Sequence, residues 1–321
     1  MKLFYFSLVL IFSCIQSTFG QLRVISLSPN TTAIIYDLMQ LTPAQNITKL
    51  IATIDYPNAP AYYEAFEHVG RFQALDINKI LTLNPDVVIT WKNQTPPSII
   101  ELLQRFGLTV KIFNAETLSQ LGESFKDIAK TIGLAENGIR LYRAFLGKLA
   151  TIKAKQHKSI NHSMTKRVFF QISNKPIFTI GGVGILNEVI EFCGGENVFK
   201  SIPQVSFEVS PSAVLMANPD MIIQLSDHVM STENSPWYAW SFLKAVQSQQ
   251  VFYLPASIIS QYSPSIITGI QKICELMSDQ LSQVIESYLK CSSALCLDEV
   301  ILFPNKHTLS KVGYISDIRG N

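Results

Sequence analysis

The pattern of apolar and polar positions predicts an α/β protein in which one eleven-residue sequence motif, the repeated phrase, occurs twice. The eleven residues ILTLNPDVVIT, 80–90, have a near double in VLMANPDMIIQ, 214–224. Each copy starts with apolar residues at helical spacing, breaks at Asn-Pro and continues as a short apolar run, which is typical of a helix that leads into a buried strand. Because the residue before a proline avoids the helical conformation, we expect Asn84 and Asn218 to end their helices.

A second correspondence extends the repeat beyond these phrases. Arg23 begins one apolar run with the pattern of a strand and Arg167 begins another, while Asp86 and Asp220 follow the two prolines and are expected in turns. Chance is the alternative explanation for the phrases alone, and the second correspondence weakens it. We therefore expect two lobes of similar construction.

The first predicted lobe covers residues 22–133 and alternates strands with helices. Its predicted strands are 23–27, 50–53, 87–91 and 110–113, and its predicted helices are 31–39, one that ends before Asn84, and 97–106. This alternation is typical of parallel β/α layering, so the predicted fold class is α/β.

A long helix is predicted between the lobes, from Ala135 to residue 157, within a connecting segment 134–158. A helix of that length spans about 34 Å, enough to cross a small domain. The second predicted lobe covers 165–280, with strands at 167–172 and 251–254 and helices at 184–192, 242–246 and 264–276. Residues 281–321 are predicted to form a tail, and its role is open.

The composition excludes a nucleic-acid-binding protein. The chain has 321 residues, of which 47% are hydrophobic and 16% charged, and its formal net charge is +2 with no basic run. The charge pattern therefore lacks the basic stripe that pairs with phosphates, and the apolar content suffices for two medium-sized cores.

The first twenty residues, 1–20, have the pattern of a cleavable secretory signal peptide. A lysine precedes a mostly apolar run from Leu3 to Phe12, and small residues precede Gln21. The run is shorter than a transmembrane helix requires. We therefore predict export to the periplasm. A lipid anchor on Cys14 is the weaker alternative, because Phe12 is bulky where lipoprotein processing prefers small residues.

Removal of the signal peptide leaves four cysteines, which are Cys193, Cys274, Cys291 and Cys296. Disulfides are the default in an oxidising compartment. A metal site is the competing interpretation, and it is weakened because no histidine or second cysteine lies at ligand spacing from Cys193 or Cys274. The pairing of the two cysteines in the tail is open.

Several motifs together resemble the periplasmic binding proteins of iron-siderophore, haem and vitamin B12 importers. They are RVISLSPNTTAII at 23–35, DYP at 55–57, LNPDVVITW at 83–91, RVFFQISNKPIFT at 167–179, EFCGGENVF at 191–199 and PQVS at 203–206. The likeness runs from Arg23 to Met277 and is greatest for the members that carry vitamin B12. It implies two Rossmann-like lobes joined by a single long backbone helix, with a ligand cleft between them, and a disulfide between Cys193 and Cys274. On this basis we expect each repeated phrase to build one wall of a two-walled site.

The resemblance also implies a function. Such proteins capture a large ring-containing nutrient, here expected to be cobalamin or another corrinoid, and deliver it to an inner-membrane ABC permease and its ATPase. We therefore expect a monomer that has no catalytic residues, holds no metal of its own and needs no cofactor besides the transported ligand.

Ligands of parallel α/β sheets bind where the loops that follow the strands converge. Those loops supply Pro29, Asn30, Asp55, Tyr56, Trp91, Lys92 and Asn174 as candidate ligand-binding residues. Trp91 is the best single candidate because it offers a flat ring and an N–H donor, with a position in the core as its alternative. The resemblance adds Phe72, where the vitamin B12-binding members have an aromatic residue.

At several ligand-facing positions the chain departs from those members. The substituted positions are Thr53, Ile172, Ile202, Ser257, Ile258 and Gln261. A siderophore or haem carrier therefore stays as an alternative, with Arg71 and Lys92 as the available cations. A hydrolase built on Ser28 or Ser206 is a further alternative, although the five histidines lie in no recognisable triad pattern.

In the family that this chain resembles, a surface glutamate on each lobe docks to the permease. Asn78 and Ser212 occupy those places here, and we expect the neighbouring Asp76 and Glu208 to substitute for them. The replaced glutamates leave open a binding module that never feeds a transporter.

Overall fold

The structure, a computed structural model, describes residues 20–42, 47–57, 59–159, 165–226 and 235–278. All of these residues belong to one compact unit, which ends at Ser278. The predicted signal peptide up to residue 19, and the tail with Cys291 and Cys296, lie outside the described residues. Within the described ranges, no helix combines the length and the apolar character needed to cross a membrane.

The first lobe is built on a parallel sheet. Its strands are β1 (Leu22–Ser26), β2 (Thr48–Thr53), β3 (Glu67–His68), β4 (Gly70–Arg71), β5 (Ala74–Leu75), β6 (Val87–Trp91) and β7 (Val110–Phe113). The parallel sheet has the order β3-β2-β1-β6-β7, and β4 and β5 form a separate antiparallel hairpin. The helices are α1 (Pro29–Gln40), α2 (Ile77–Thr82), α3 (Pro97–Arg105) and α4 (Leu118–Thr131). The predicted alternation is confirmed.

Helix α4 is absent from the sequence prediction. Its apolar residues Leu118, Leu121, Phe125 and Ile128 recur at helical spacing and are buried. The hydroxyl of Thr117 caps the helix by accepting a hydrogen bond from the backbone N–H of Gln120 at 3.1 Å. The signal for this helix was therefore present in the sequence.

A 25-residue helix, α5 (Ala135–Ser159), connects the lobes as predicted. Near its start, the Asn137 amide donates to the backbone oxygen of Leu38 at 2.9 Å in the first lobe. Near its end, the Gln156 amide donates to the backbone oxygen of Cys274 at 2.8 Å in the second. Apolar residues of α5, such as Phe145, belong to one hydrophobic cluster that continues from the first sheet into the second.

The second lobe repeats the plan with one change. Its strands are β8 (Arg167–Asn174), β9 (Ile177–Ile180), β10 (Glu196–Asn197), β11 (Ser206–Glu208), β12 (Met221–Ser226) and β13 (Val251–Pro255). The helices are α6 (Ile185–Phe192), α7 (Pro211–Ala217), α8 (Lys244–Gln247) and α9 (Ile266–Met277). Strands β8, β12 and β13 are parallel, whereas β9 runs antiparallel to β8 and β11. The predicted loop after β8 is therefore the turn of a hairpin that the sequence analysis missed.

The asparagines of the repeated phrase end their helices as predicted. Asn84 and Asn218 have φ values of 44° and 43°, in the left-handed region that asparagine tolerates. Both lie at the amino ends of β6 and β12. The expectation that each phrase builds a wall of the site is therefore wrong for its Asn-Pro-Asp part, which lies at the sheet edge opposite the carboxyl ends of the strands.

The predicted disulfide is confirmed between Cys193 and Cys274, both of them buried. It joins the end of α6 to α9. The ammonium group of Lys153 on α5 donates to the backbone oxygen of Phe192 at 3.0 Å, next to the disulfide. The disulfide thus joins α6 to α9, and the Lys153 hydrogen bond joins the same end of α6 to the connecting helix.

Candidate ligand-binding cleft

The carboxyl edges of the two sheets face each other. Gln261, which follows β13, donates its side-chain N–H to the backbone oxygen of Pro29, which follows β1, at 2.8 Å. The next residue, Tyr262, donates its backbone N–H to the side-chain oxygen of Asn30 at 3.1 Å. Because both partners follow strand ends, these contacts bring together the edges where ligands of α/β sheets bind, and the candidate cleft lies between these edges.

The loop after β1 is held by buried hydroxyl groups. The Ser28 hydroxyl caps α1 by accepting from the backbone N–H of Thr31 at 3.1 Å, and the hydroxyls of Thr32 and Thr53 lie 2.8 Å apart. Asn30 is only 2% exposed, and its side chain is engaged by the other lobe. Of the predicted residues here, Pro29 is half-buried at the cleft edge. Ser28 has a structural role, which argues against the hydrolase alternative.

Asp55 and His68 form a polar pair at the ends of β2 and β3. Their Oδ1 and Nδ1 atoms are 2.7 Å apart, and His68 Nε2 lies 3.3 Å from the backbone oxygen of Tyr63. Both side chains are partly exposed. Since each ring nitrogen of His68 has a polar neighbour, the histidine holds two segments of the cleft edge together.

Tyrosines form a cluster that the sequence analysis did not find. Tyr36 and Tyr62 stack with ring centroids 3.9 Å apart, Tyr63 lies 5.1 Å from Tyr62, and the predicted Tyr56 lies 6.3 Å from Tyr63. Burial, with the nearby carboxylate of Asp37, raises the pKa of Tyr62 to about 12. The paired tyrosines after the Asp-Tyr-Pro turn were the signal of this cluster in the sequence.

Phe72 lies at the tip of the β4–β5 hairpin and is 40% exposed. Gly70, with φ of 95°, starts this hairpin, and a Cβ there would lie 2.3 Å from the backbone oxygen of Ala74. The tight turn therefore requires glycine and presents an aromatic ring to solvent.

The structure separates the two predicted residues at the end of β6. Trp91 is 4% exposed and packs in the main hydrophobic cluster. This is the core position that the sequence analysis gave as the alternative to ligand contact. Lys92 is exposed, with its ammonium group 3.7 Å from the carboxylate of Glu116. The first lobe thus offers Tyr56 and Phe72, rather than Trp91, as accessible aromatic side chains near the cleft edge.

In the second lobe, Asn174 is exposed at the end of β8. Its side-chain oxygen accepts from the amide of Gln171 at 2.5 Å, and the oxygen of that amide accepts from the indole N–H of the buried Trp237 at 2.7 Å. Gln171 and Trp237 were missed by the sequence analysis, and they hold Asn174 in place. A shallow groove of about 730 Å³ lies beside Asn174 and is lined also by Lys175 and Glu208.

The two candidate docking residues have different local roles. The Asp76 carboxylate caps α2 by accepting from the backbone N–H of Lys79 at 2.9 Å. In the second lobe the equivalent cap of α7 is Ser210, and Glu208 is exposed on β11, two residues earlier. Both helices begin at the carboxyl edges, so both acidic residues lie on the cleft side of their lobes. Within the described ranges, no three or more His, Cys, Asp or Glu side chains are grouped to hold a metal ion.

Comparisons with known proteins agree with this architecture. Residues 24–258 match the family model described as periplasmic binding protein. The vitamin B12-binding protein of Vibrio parahaemolyticus is 31% identical over 254 residues, which cover 79% of this chain and 88% of the relative.

Solved structures show the same fold. The crystal structure of the periplasmic vitamin B12-binding protein BtuF of Vibrio cholerae superposes with a TM-score of 0.69 at 27% identity, covering 82% of this chain and 98% of that one. The periplasmic haem-binding protein BhuT, in complex with two haems, gives a TM-score of 0.70 at 17% identity, covering 81% and 99%. The sequence match over most of the chain and the shared two-lobed fold show that this protein belongs to the periplasmic binding protein family.

Proposed function

We propose that this protein binds a large ring-containing nutrient, a corrinoid such as cobalamin, in the cleft between its lobes and delivers it to an inner-membrane ABC permease and its ATPase. The observation that carries the proposal is the pair of facing carboxyl edges in a chain 31% identical to a vitamin B12-binding protein. The protein carries out no covalent chemistry in this role, and it acts as a monomer in the periplasm.

The side chains at the first edge support an apolar, ring-shaped ligand. Phe72 and Tyr56 offer accessible rings there, which suit a flat macrocycle. The exposed cations, Arg71 and Lys92, lie on separate segments, and Lys92 already has Glu116 nearby. An anionic ferric chelate is served better by paired cations, so the cleft fits a corrinoid better than a siderophore.

The test is a titration of the mature protein, from Gln21, with cyanocobalamin, followed by heat release and tryptophan fluorescence. We expect one-to-one binding, weakened about threefold to tenfold in Phe72→Ala because an aromatic contact is lost. Phe106→Ala is the matched control: Phe106 is also exposed in the first lobe, but it lies at the end of α3, near the opposite sheet edge.

Two results would contradict the proposal. Absence of cyanocobalamin binding by folded protein would remove the corrinoid, and tight binding of haem or a ferric siderophore in the same assay would identify the alternative class. Equal affinities of the Phe72→Ala and Phe106→Ala variants would show that the ligand does not contact the hairpin. Sequencing the amino terminus of protein recovered from the periplasm tests export and cleavage before Gln21.

A further inference from the structure

Two hydrogen bonds, together called the clasp, join the two lobes at the loops that follow β1 and β13. Gln261 and Tyr262 supply the donors, and the Pro29 carbonyl and the Asn30 side chain supply the acceptors, at 2.8 and 3.1 Å. The partners are 232 residues apart in the chain. Asn30 is almost completely buried by this contact and its surroundings, so its side chain is committed to the other lobe.

Both sides of the clasp are anchored within their own lobes. Asn30 lies in the first turn of α1, two residues after the fully buried Ser28 whose hydroxyl caps this helix. On the other side, Ile259 is fully buried, and Gly269 of α9 lies so close that a Cβ would come within 2.4 Å of the backbone oxygen of Ile258. Because each segment is fixed within its own lobe, the hydrogen bonds between them restrain the position of one lobe relative to the other.

A second contact joins the lobes elsewhere. The Glu188 carboxylate on α6 accepts from the backbone N–H of Leu118, at the start of α4, at 2.6 Å. Leu118 follows β7, whereas Asn30 follows β1, so the two contacts lie at different places along the first sheet edge. The connecting helix and the hydrophobic cluster around it join the lobes on one side, and small changes along the helix would still let the lobes twist and open. Two separate contacts beside α5 restrain both motions.

We propose that Asn30 and Gln261 are positioning residues that hold the lobes at a fixed angle and so set the width of the ligand cleft, with Glu188 as a second brace. Neither residue needs to touch the ligand for this role. Only molecules whose lobes have the correct spacing bind the ligand. Loosening the clasp reduces the fraction of such molecules, and the apparent affinity falls by the same factor.

The decisive variants change the hydrogen bonds with little change in shape. Gln261→Glu replaces the donor with an oxygen that repels the Pro29 carbonyl, and Asn30→Ala removes the acceptor for Tyr262. Gln271→Glu is the matched control, because Gln271 lies exposed on α9 and bonds only to Glu275 of its own helix in the described contacts.

Two readouts follow the clasp without any ligand. The first is the distance distribution between spin labels carried by non-canonical amino acids at Glu101 and Ser248, exposed positions in different lobes, so that the native cysteines stay untouched. The second is hydrogen exchange at the backbone amide of Tyr262, which donates across the clasp. We expect Gln261→Glu and Asn30→Ala to broaden the distances and to speed Tyr262 exchange by about tenfold or more, while Gln271→Glu stays near wild type.

Unchanged distances and unchanged Tyr262 exchange in Gln261→Glu would overturn the proposal. If Asn30→Ala fails to fold, Gln261→Glu still decides, because its side chain is partly exposed. Affinity for cyanocobalamin, expected to fall about threefold to tenfold in the loosened variants, rests on the proposed function. A protein that does not bind cyanocobalamin would refute that function and leave the two ligand-free readouts valid.

Discussion

The Asp86 carboxylate accepts a hydrogen bond from the backbone N–H of Arg23 at 2.6 Å, and Asp220 does the same for Arg167 at 2.9 Å in the second lobe. In return, the backbone N–H of each aspartate donates to the backbone oxygen of the same arginine. The guanidinium of Arg23 donates to the backbone oxygen of Leu83, and that of Arg167 to the backbone oxygen of Ala217. Each arginine therefore binds the carbonyls left unpaired at the end of the helix in the repeated phrase.

This relationship explains why the phrase occurs twice. In each lobe a helix must end, turn at Asn-Pro and start the strand that lies beside the first strand of the lobe. The aspartate and the arginine fasten that turn to the neighbouring strand. The repeated phrase therefore sets the pairing of neighbouring strands, and it lies at the sheet edge opposite the cleft.

Removal of the aspartate should destabilise each lobe. We expect Asp86→Ala to lower the free energy of unfolding by about 1 kcal/mol, and Asp220→Ala, at a less exposed site, by about 2 kcal/mol. Asp127→Ala, at an exposed position on α4, is the control and should have little effect. Chemical denaturation measures these changes, and equal stability of the Asp86, Asp220 and Asp127 variants would refute the proposed role of the phrase.

The disulfide should contribute a large part of the stability. Cys193 and Cys274 close a loop with a sequence separation of 81, and the loss of such a cross-link costs about 4 kcal/mol in the loop-entropy model. The Cys193→Ser, Cys274→Ser double variant should therefore unfold at markedly lower denaturant concentration than wild type. Reduced wild-type protein provides the comparison, and a double variant as stable as oxidised wild type would contradict the estimate.

Much of the fold could be predicted from the sequence because hydrophobic periodicity and the two Asn-Pro breaks are local signals. The strands at 87–91 and 110–113 agree with the structure at both ends, and the connecting helix agrees to within two residues. The hairpin strand Ile177–Ile180 was missed because four residues after a proline carry almost no periodicity. Helix α4 was missed although its spacing was clear.

The site was less predictable because exposure is set by packing between distant segments. A tryptophan at a strand end is suited equally to a cleft and to a core, and Trp91 packs in the core. Asn30 was expected at the ligand, but its partner Tyr262 lies 232 residues further on, and no local pattern reports that contact. Tyr56 was proposed from its place in a loop after a strand and Phe72 from the resemblance, and their contact with a ligand stays a prediction.

Asp37 should make stability depend on pH. Burial raises the pKa of Asp37 from 3.8 to about 6, with the positive charge of Lys148 acting in the opposite direction. Because the pKa is raised in the folded state, folding disfavours the ionised form, and wild-type stability falls as pH rises from 3.8 to about 6. Asp37→Asn carries no charge and should be more stable than wild type by about 1 kcal/mol at neutral pH, after allowance for partial exposure.

The difference between Asp37→Asn and wild type should close below the unfolded pKa, where the aspartate is protonated in both states. Thermal unfolding measured across this range tests the expectation. Asp127→Asn, at an exposed position on α4, is the matched control. A variant less stable than wild type at neutral pH would mean that the interaction of Asp37 with Lys148 outweighs the effect of burial.

Docking to a permease can be tested without disturbing the helix that Asp76 caps. Asp76→Ser removes the charge and keeps a capping oxygen, as Ser210 provides in the second lobe, whereas Asp76→Ala removes both. Glu208→Gln removes the second charge at an exposed position. If these carboxylates meet basic pockets on the permease, Asp76→Ser combined with Glu208→Gln should reduce stimulation of the transporter ATPase about tenfold or more.

The same double variant should bind cyanocobalamin as wild type does, since neither change alters the aromatic side chains at the cleft edge. Glu101→Gln, an exposed carboxylate on α3, is the control for loss of charge. Full ATPase stimulation by the double variant would show that Asp76 and Glu208 do not replace the family's docking glutamates. Loss of stimulation in Asp76→Ala but not in Asp76→Ser would instead assign the effect to the helix cap, because only the alanine variant loses the hydrogen bond to the backbone N–H of Lys79.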